Sequence, residues 1–157
     1  VSEIQSKGIK KLVLDLRNNP GGDLDAAQQI AETFISAGTI AELRYKDSAE
    51  NKFIKSSNYN APKIKVALLV NEYSASASEF ITMAMKSRGV AKVFGTKTYG
   101  KGVTQVVHRF SDGTAVKLTV TEYFRPNGET VNGIGITPDI EAEGAEVYEE
   151  ALKELEQ

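Results

Sequence analysis

Three residues in the middle of the chain have the types needed to hydrolyse an acyl bond: a serine in Asn71-Glu-Tyr-Ser-Ala-Ser-Ala-Ser-Glu79, then Lys101 and Gln105 in Tyr99-Gly-Lys-Gly-Val-Thr-Gln105. Serine is a weak nucleophile until a base removes its proton in the transition state. Lysine can be that base only as the free amine, and its ordinary value near 10.4 means that burial has to disfavour the ammonium. A neutral amide such as Gln105 orients the amine without adding an anion that would stabilise the charged form. The middle serine, Ser76, precedes Lys101 by 25 residues (76 to 101), and Gln105 follows the lysine by four. Four residues keep two side chains on one face of either a helix or a strand. The set reads as a serine-lysine hydrolase.

Blander readings compete at each position. One of Ser74, Ser76 and Ser78 could cap the helix that follows while the others pack as small residues. A serine at a strand-to-helix turn has a further use, because a helix N-terminus offers free backbone N–H groups where an oxyanion can form. The Ala77 amide is the natural donor. Asn18-Asn-Pro-Gly-Gly22 reads as a turn, but its glycines also let backbone amides approach a substrate closely, so Gly21 or Gly22 supplies the second donor. Gly95-Thr-Lys-Thr-Tyr-Gly-Lys101 resembles a phosphate loop except that Gly102 stands where a Ser or Thr should bind magnesium, and a strand rather than a helix follows. The single histidine, His108, lies in an alternating strand and reads as a surface or packing residue before it reads as a partner for Ser76. No cluster has metal-ligand spacing, Asp23 and Asp25 suit the first turn of a helix, and the pattern implies no cofactor.

These residues need elements to hold them. Lys11 to Leu16 alternate as a strand that stops at the Pro-Gly-Gly turn. Leu24, Ala27, Ile30, Ala31, Phe34 and Ile35 recur at helical spacing, with Gly38 placed as a C-cap. Thr39 to Tyr45 read as a strand, and Lys46 to Pro62 as a polar irregular loop. Ile64 to Val70 form an apolar core strand, Ser76 to Lys86 a helix closed by Arg88-Gly89, and Ala91 to Phe94 a short strand. Val103 to Phe110 and Ala115 to Tyr123 flank the turn Ser111-Asp-Gly-Thr114 as a hairpin. Arg125-Pro-Asn-Gly128 is a second turn, Thr137-Pro-Asp-Ile140 leads into a last short strand, and Ala145 to Leu155 form a terminal helix. Alternating strands and helices predict an α/β fold with an antiparallel region late in the chain.

At 157 residues the chain is the size of one domain, long enough to bury roughly 70% of its unfolded surface. A net charge of −2 provides no basic field for nucleic acid and no polybasic segment for a membrane surface. The absence of cysteine excludes disulfides, thiolate metal sites and a cysteine nucleophile. The longest aliphatic run, Val66 to Val70, is far shorter than the roughly 20 residues of a membrane-spanning helix. The start at Val1, without initiator Met or signal peptide, points to a piece of a longer precursor.

Leu14-Asp-Leu-Arg-Asn-Asn-Pro-Gly-Gly22, Ser74-Ala-Ser-Ala-Ser-Glu79, Gly95 through Tyr-Gly-Lys-Gly to Gln105, and Gly135-Ile-Thr-Pro-Asp-Ile140 occur in the order seen in carboxyl-terminal processing peptidases, also called tail-specific proteases. The chain resembles that family over nearly its whole length. The resemblance implies a crotonase-like α/β fold with a mixed sheet and flanking helices, and one peptidase core over residues 1–157. It implies Ser76 as nucleophile, Lys101 as general base, Gln105 holding the lysine, and an oxyanion hole from Ala77 and Gly21-Gly22. A protein or peptide substrate bound by its C-terminal tail follows, as does an extracytoplasmic location. The family's upstream PDZ domain and N-terminal helices are absent from these residues. Relatives often carry an acidic residue after the nucleophile helix, where Lys86-Ser-Arg-Gly89 is basic. Retinoid-binding modules built on the same core supply the rival reading of a non-catalytic binding protein, and an inert core fragment is a third.

Overall fold

The computed structural model describes Glu3 and the stretch from Ser6 to Gln157. In chain order the elements are β1 (Lys11–Asp15), α1 (Leu24–Phe34), β2 (Gly38–Tyr45), β3 (Lys52–Ser56), β4 (Lys65–Val70), α2 (Ala77–Ser87), β5 (Ala91–Gly95), β6 (Val103–Arg109), β7 (Ala115–Phe124), β8 (Ile140–Glu141) and α3 (Glu146–Glu156). They form two sheets, one parallel in the order β1-β4-β5-β8 and one antiparallel in the order β3-β2-β7-β6. This is the mixed α/β architecture that the alternation predicts.

The parallel sheet is covered on both faces, as βαβ crossovers require. Successive side chains of a strand point to opposite faces, and β4 divides accordingly. Val66, Leu68 and Val70 pack into the larger core with α1 and α2, whereas Ala67 and Leu69 pack into a smaller one with Phe94, Val147, Ala151 and Leu155. Leu68 is fully buried, and burying a leucine side chain contributes roughly 1.5–3 kcal/mol. A charged residue there would cost more than that gain, because nothing in the core could pair with it. Among the described residues no helix is long and apolar enough to cross a membrane.

Two expectations need correction. Helix α1 starts as its sequence indicates, with Asp23 Oδ1 accepting from Ala26 N at 2.8 Å, but it ends at Phe34 with Ile35 as C-cap, and Gly38 opens β2. The polar stretch after Tyr45 contains a 3-10 turn and strand β3 instead of an irregular loop. The helix end is held by residues of that polar stretch. Asn58 Nδ2 donates to the Glu32 and Thr33 carbonyls and Ser56 Oγ to the Ile35 carbonyl, so side chains of the polar stretch satisfy the helix end that a glycine would otherwise close. The lysines and serine of β3 masked its single buried apolar residue, Ile54.

Candidate active site

Strand β4 runs out at Val70 into a tight turn, and the turn delivers Ser76 to the N-cap of α2. The three serines of this turn have separate fates. Ser74 is fully buried, its hydroxyl donating to the Leu16 carbonyl at 2.8 Å and accepting from Asn71 N at 2.9 Å. Ser78 is also buried, inside α2. Ser76 alone of the three reaches the surface. Its backbone has φ 56° and ψ −118°, a conformation that costs a residue with a Cβ about 1–3 kcal/mol and persists only where the surroundings enforce it.

The enforcement comes from two buried residues. Glu79, with no exposed surface, accepts from Ser76 N at 3.0 Å and Lys101 N at 2.7 Å through Oε2, and from Gly100 N at 2.7 Å and Thr98 Oγ1 at 2.5 Å through Oε1. Both carboxyl oxygens are thereby saturated, as a buried acid requires. The Tyr123 hydroxyl lies 2.9 Å from both the Ser76 and the Lys101 carbonyls. Burial, with the charge of Glu79 adding to it, pushes this phenol above its ordinary value and keeps it a donor. One residue therefore ties the amides of Ser76 and Lys101 and the other ties their carbonyls. The capping-box spacing Ser76-x-x-Glu79 was a signal in the sequence that could have found Glu79. Tyr123 lies 47 residues from Ser76 and leaves no local signal.

The Asn18–Gly22 turn lies against the same corner. Asn71 Oδ1 accepts from Asn18 N at 2.9 Å, and Ala75 N donates to the Asn19 carbonyl at 3.1 Å. Gly21 has φ 94°, and a Cβ on it would stand 2.6 Å from the Ala75 carbonyl oxygen and 2.7 Å from Ala77 N. Only glycine fits that approach. Of the proposed oxyanion donors, the Gly21 amide already donates to Asn19 Oδ1 at 2.9 Å. The Gly22 and Ala77 amides have no partner among the described residues. That narrows the candidate pair to Gly22 and Ala77.

Ser76, Ala77, Gly22, Lys101 and Gln105 line one open cleft of about 460 Å³. No hydrogen bond joins Ser76 Oγ to Lys101 Nζ among the described residues, and the Gln105 amide donates to Thr119 Oγ1 at 3.2 Å instead of meeting the lysine. Lys101 and Gln105 do not share a strand face, because Lys101 precedes β6 and a register shift separates Thr104 from Gln105. The cleft, not a shared face, brings the two together. His108 packs edge-on against Phe110 at 4.9 Å on the exposed strand, outside the cleft. Asp23, the N-cap of α1, and Asp25 in its first turn border the cleft. The basic Lys86 pairs with Asp139 at 2.8 Å, joining the end of α2 to the Thr137-Pro-Asp motif. No His, Asp and Glu group among the described residues could hold a metal ion.

The strained Ser76 turn and the unpartnered Gly22 and Ala77 amides thus belong to residues that line one open cleft. The family model for Peptidase family S41 matches residues 1–142, and the chain belongs to that family. It is 45% identical over 142 residues to a protein of Staphylococcus epidermidis named "Probable CtpA-like serine protease", covering 89% of this chain and 29% of that protein. A protein of the same name from Staphylococcus haemolyticus is 46% identical over 136 residues, 84% of this chain and 27% of the relative. The chain thus spans less than a third of the length of these relatives. Among solved structures, the photosystem II D1 C-terminal processing protease superposes with a TM-score of 0.79 at 33% identity, over 90% of this chain and 37% of that one. A lipoprotein from Streptococcus agalactiae shares the fold, with a TM-score of 0.76 at 22% identity.

Proposed function

We propose that this chain is the catalytic core of a serine endopeptidase that cleaves protein substrates near their C-termini. The observation that carries the reading is that Ser76 alone of the three serines emerges from the core, on a strained turn beside the unpartnered Ala77 amide and in one cleft with Lys101. Ser76 Oγ attacks the scissile carbonyl carbon while the Lys101 amine takes its proton, and the carbonyl oxygen becomes an oxyanion facing the Ala77 and Gly22 amides. Collapse of the tetrahedral adduct breaks the C–N bond, and Lys101 returns the proton to the leaving amine. A water then attacks the ester carbonyl carbon as Lys101 accepts its proton, and collapse of this second adduct breaks the bond to Ser76 Oγ, which regains its proton from Lys101 as the new C-terminal carboxylate leaves. Gln105 orients the lysine once substrate fills the cleft, since catalytic hydrogen bonds often tighten only in the complex.

The substrate lies extended along β6. Of the four edges of the two sheets, only β6 contributes residues from its start to the cleft, and an added strand is held by main-chain hydrogen bonds with modest sequence selectivity. The likeness to processing proteases supports a C-terminal tail as the bound segment and an extracytoplasmic place of action. Proteolysis of an unfolded protein by the full chain tests the reading. Ser76→Ala and Lys101→Ala should each stop it with the fold retained. Loss in Ser74→Ala or Ser78→Ala with Ser76→Ala still active would sink the assignment.

A further inference from the structure

Helix α2 starts beside Ser76, and its far end borders a second cleft, of about 280 Å³, against the turn Arg125-Pro-Asn-Gly128. The eleven residues of α2, roughly 16 Å of helix, separate Ser76 from Ser87 at the edge of this cleft. It shares no residue with the cleft around Ser76. The turn is stiff, since Pro126 presets its first dihedral and Gly128 N donates to the Arg125 carbonyl at 2.8 Å.

Arg125 is left incomplete there. Its Nη1 donates to Glu129 Oε2 at 3.0 Å, but its Nε is the one buried side-chain nitrogen or oxygen among the described residues without a hydrogen-bond partner. A buried donor without an acceptor is costly and calls for a partner that the protein does not supply. Nε and Nη2 lie along one edge of the planar guanidinium, the edge that grips a carboxylate through two parallel bonds. Neighbours on the cleft wall also have donors to spare. Lys86 Nζ has three N–H groups, and two go to the Thr137 carbonyl at 2.7 Å and Asp139 Oδ1 at 2.8 Å. Asn127 Oδ1 accepts from Glu129 N at 3.2 Å, which leaves the amide nitrogen free to donate.

No acidic residue lines the cleft, and its apolar members, Met83 and Ile136, have almost no exposed surface. Glu129 and Asp139 already balance Arg125 and Lys86 from outside it. The wall therefore suits a single negative charge better than the double charge of phosphate.

We propose that this cleft binds a small carboxylate that carries an apolar group, with the carboxylate on Arg125 and the apolar group on Met83 and Ile136. Such a ligand joins the end of α2 to the segment that follows Tyr123, and so stabilises the folded chain by mass action. The proposal is independent of Ser76 being the nucleophile.

Thermal unfolding and calorimetric titration of the full chain with isovalerate test it, with acetate, isoamyl alcohol and inorganic phosphate as comparison probes. Isovalerate should bind at one site per chain and raise Tm by at least about 3 °C at saturation. Acetate, which lacks the apolar group, and isoamyl alcohol, which lacks the charge, should each bind at least about tenfold more weakly. Arg125→Lys keeps the charge but loses the two-bond edge, and should weaken isovalerate about tenfold while unfolding as cooperatively as the wild type. Asn127→Asp, on the exposed turn, sets a like charge on the wall and should weaken it as well. Absence of saturable isovalerate binding would overturn the site and mean that water alone completes Arg125. Equal affinity for isoamyl alcohol or phosphate, or unchanged isovalerate affinity in Arg125→Lys, would overturn it too.

Discussion

Strand β4 has every residue from Val66 to Val70 buried, whereas β6 exposes every residue from Gln105 to Arg109. One is the centre of a covered parallel sheet, the other the edge of an open antiparallel one. Yet each adjoins one of the two residues proposed to react, since Ser76 follows β4 and Lys101 precedes β6. A dry, packed layer holds the proposed nucleophile, and an exposed strand borders the cleft beside the proposed base. The division only works if something holds the two residues in register. Glu79 and Tyr123 do so by bonding the amides and carbonyls of both.

The largest effect should come from removing either end. Ser76→Ala and Lys101→Ala should each lower kcat by at least about a thousandfold, and the double variant should be no worse than either single one, because nucleophile and base act as a unit. Steady-state proteolysis of an unfolded protein measures this. Additive losses would mean that the two layers contribute independently.

Next in size is the coupling residue. Glu79→Ala leaves two backbone amides of the lysine loop, the Ser76 amide and the Thr98 hydroxyl without their acceptor, and each buried unsatisfied group costs about 1–3 kcal/mol. A stability loss of at least about 3 kcal/mol in urea unfolding is expected. A change near zero would show that the carboxylate does not hold the corner.

Tyr123→Phe removes a single hydroxyl and should cost about 1–3 kcal/mol. It also has a pH signature. The folded state holds the Tyr123 proton more tightly than the unfolded chain, so its contribution is fully present below the ordinary tyrosine value near 10 and is lost as pH rises above it. The alkaline fall in stability should be shallower in Tyr123→Phe, and identical slopes would deny the burial of this phenol.

The smallest effect belongs to the open sheet. Leu118 is 53% exposed on β7, opposite Val106. Leu118→Thr should change stability by no more than about 0.5 kcal/mol. A larger loss would mean that the hairpin is part of the core after all.

The elements nearest the site were the most legible in sequence, and the reason is physical. Local signals sufficed for Ser76 and Ala77 at a strand-to-helix turn and for a helix beginning at the Asp23–Asp25 pair, because each depends on residues within a few positions. Glu79 also had a local signal, in its spacing from Ser76. What stayed hidden depends on contacts distant in the chain. Asn58 closing α1, Tyr123 reaching Ser76, and the choice of Gly22 over Gly21 as the free amide all arise from chain segments meeting in space. Gln105 shows the limit from the other side, since its spacing from Lys101 predicted a shared face and the register shift in β6 removed it.

Labelling the full chain with a serine-reactive fluorophosphonate, followed by peptide mapping, tests the nucleophile and its base together. A single adduct on Ser76, absent from Ser76→Ala and formed much more slowly in Lys101→Ala, is the expected result. An adduct on Ser74 or Ser78, or labelling of Ser76 at an unchanged rate when Lys101 is removed, would contradict it.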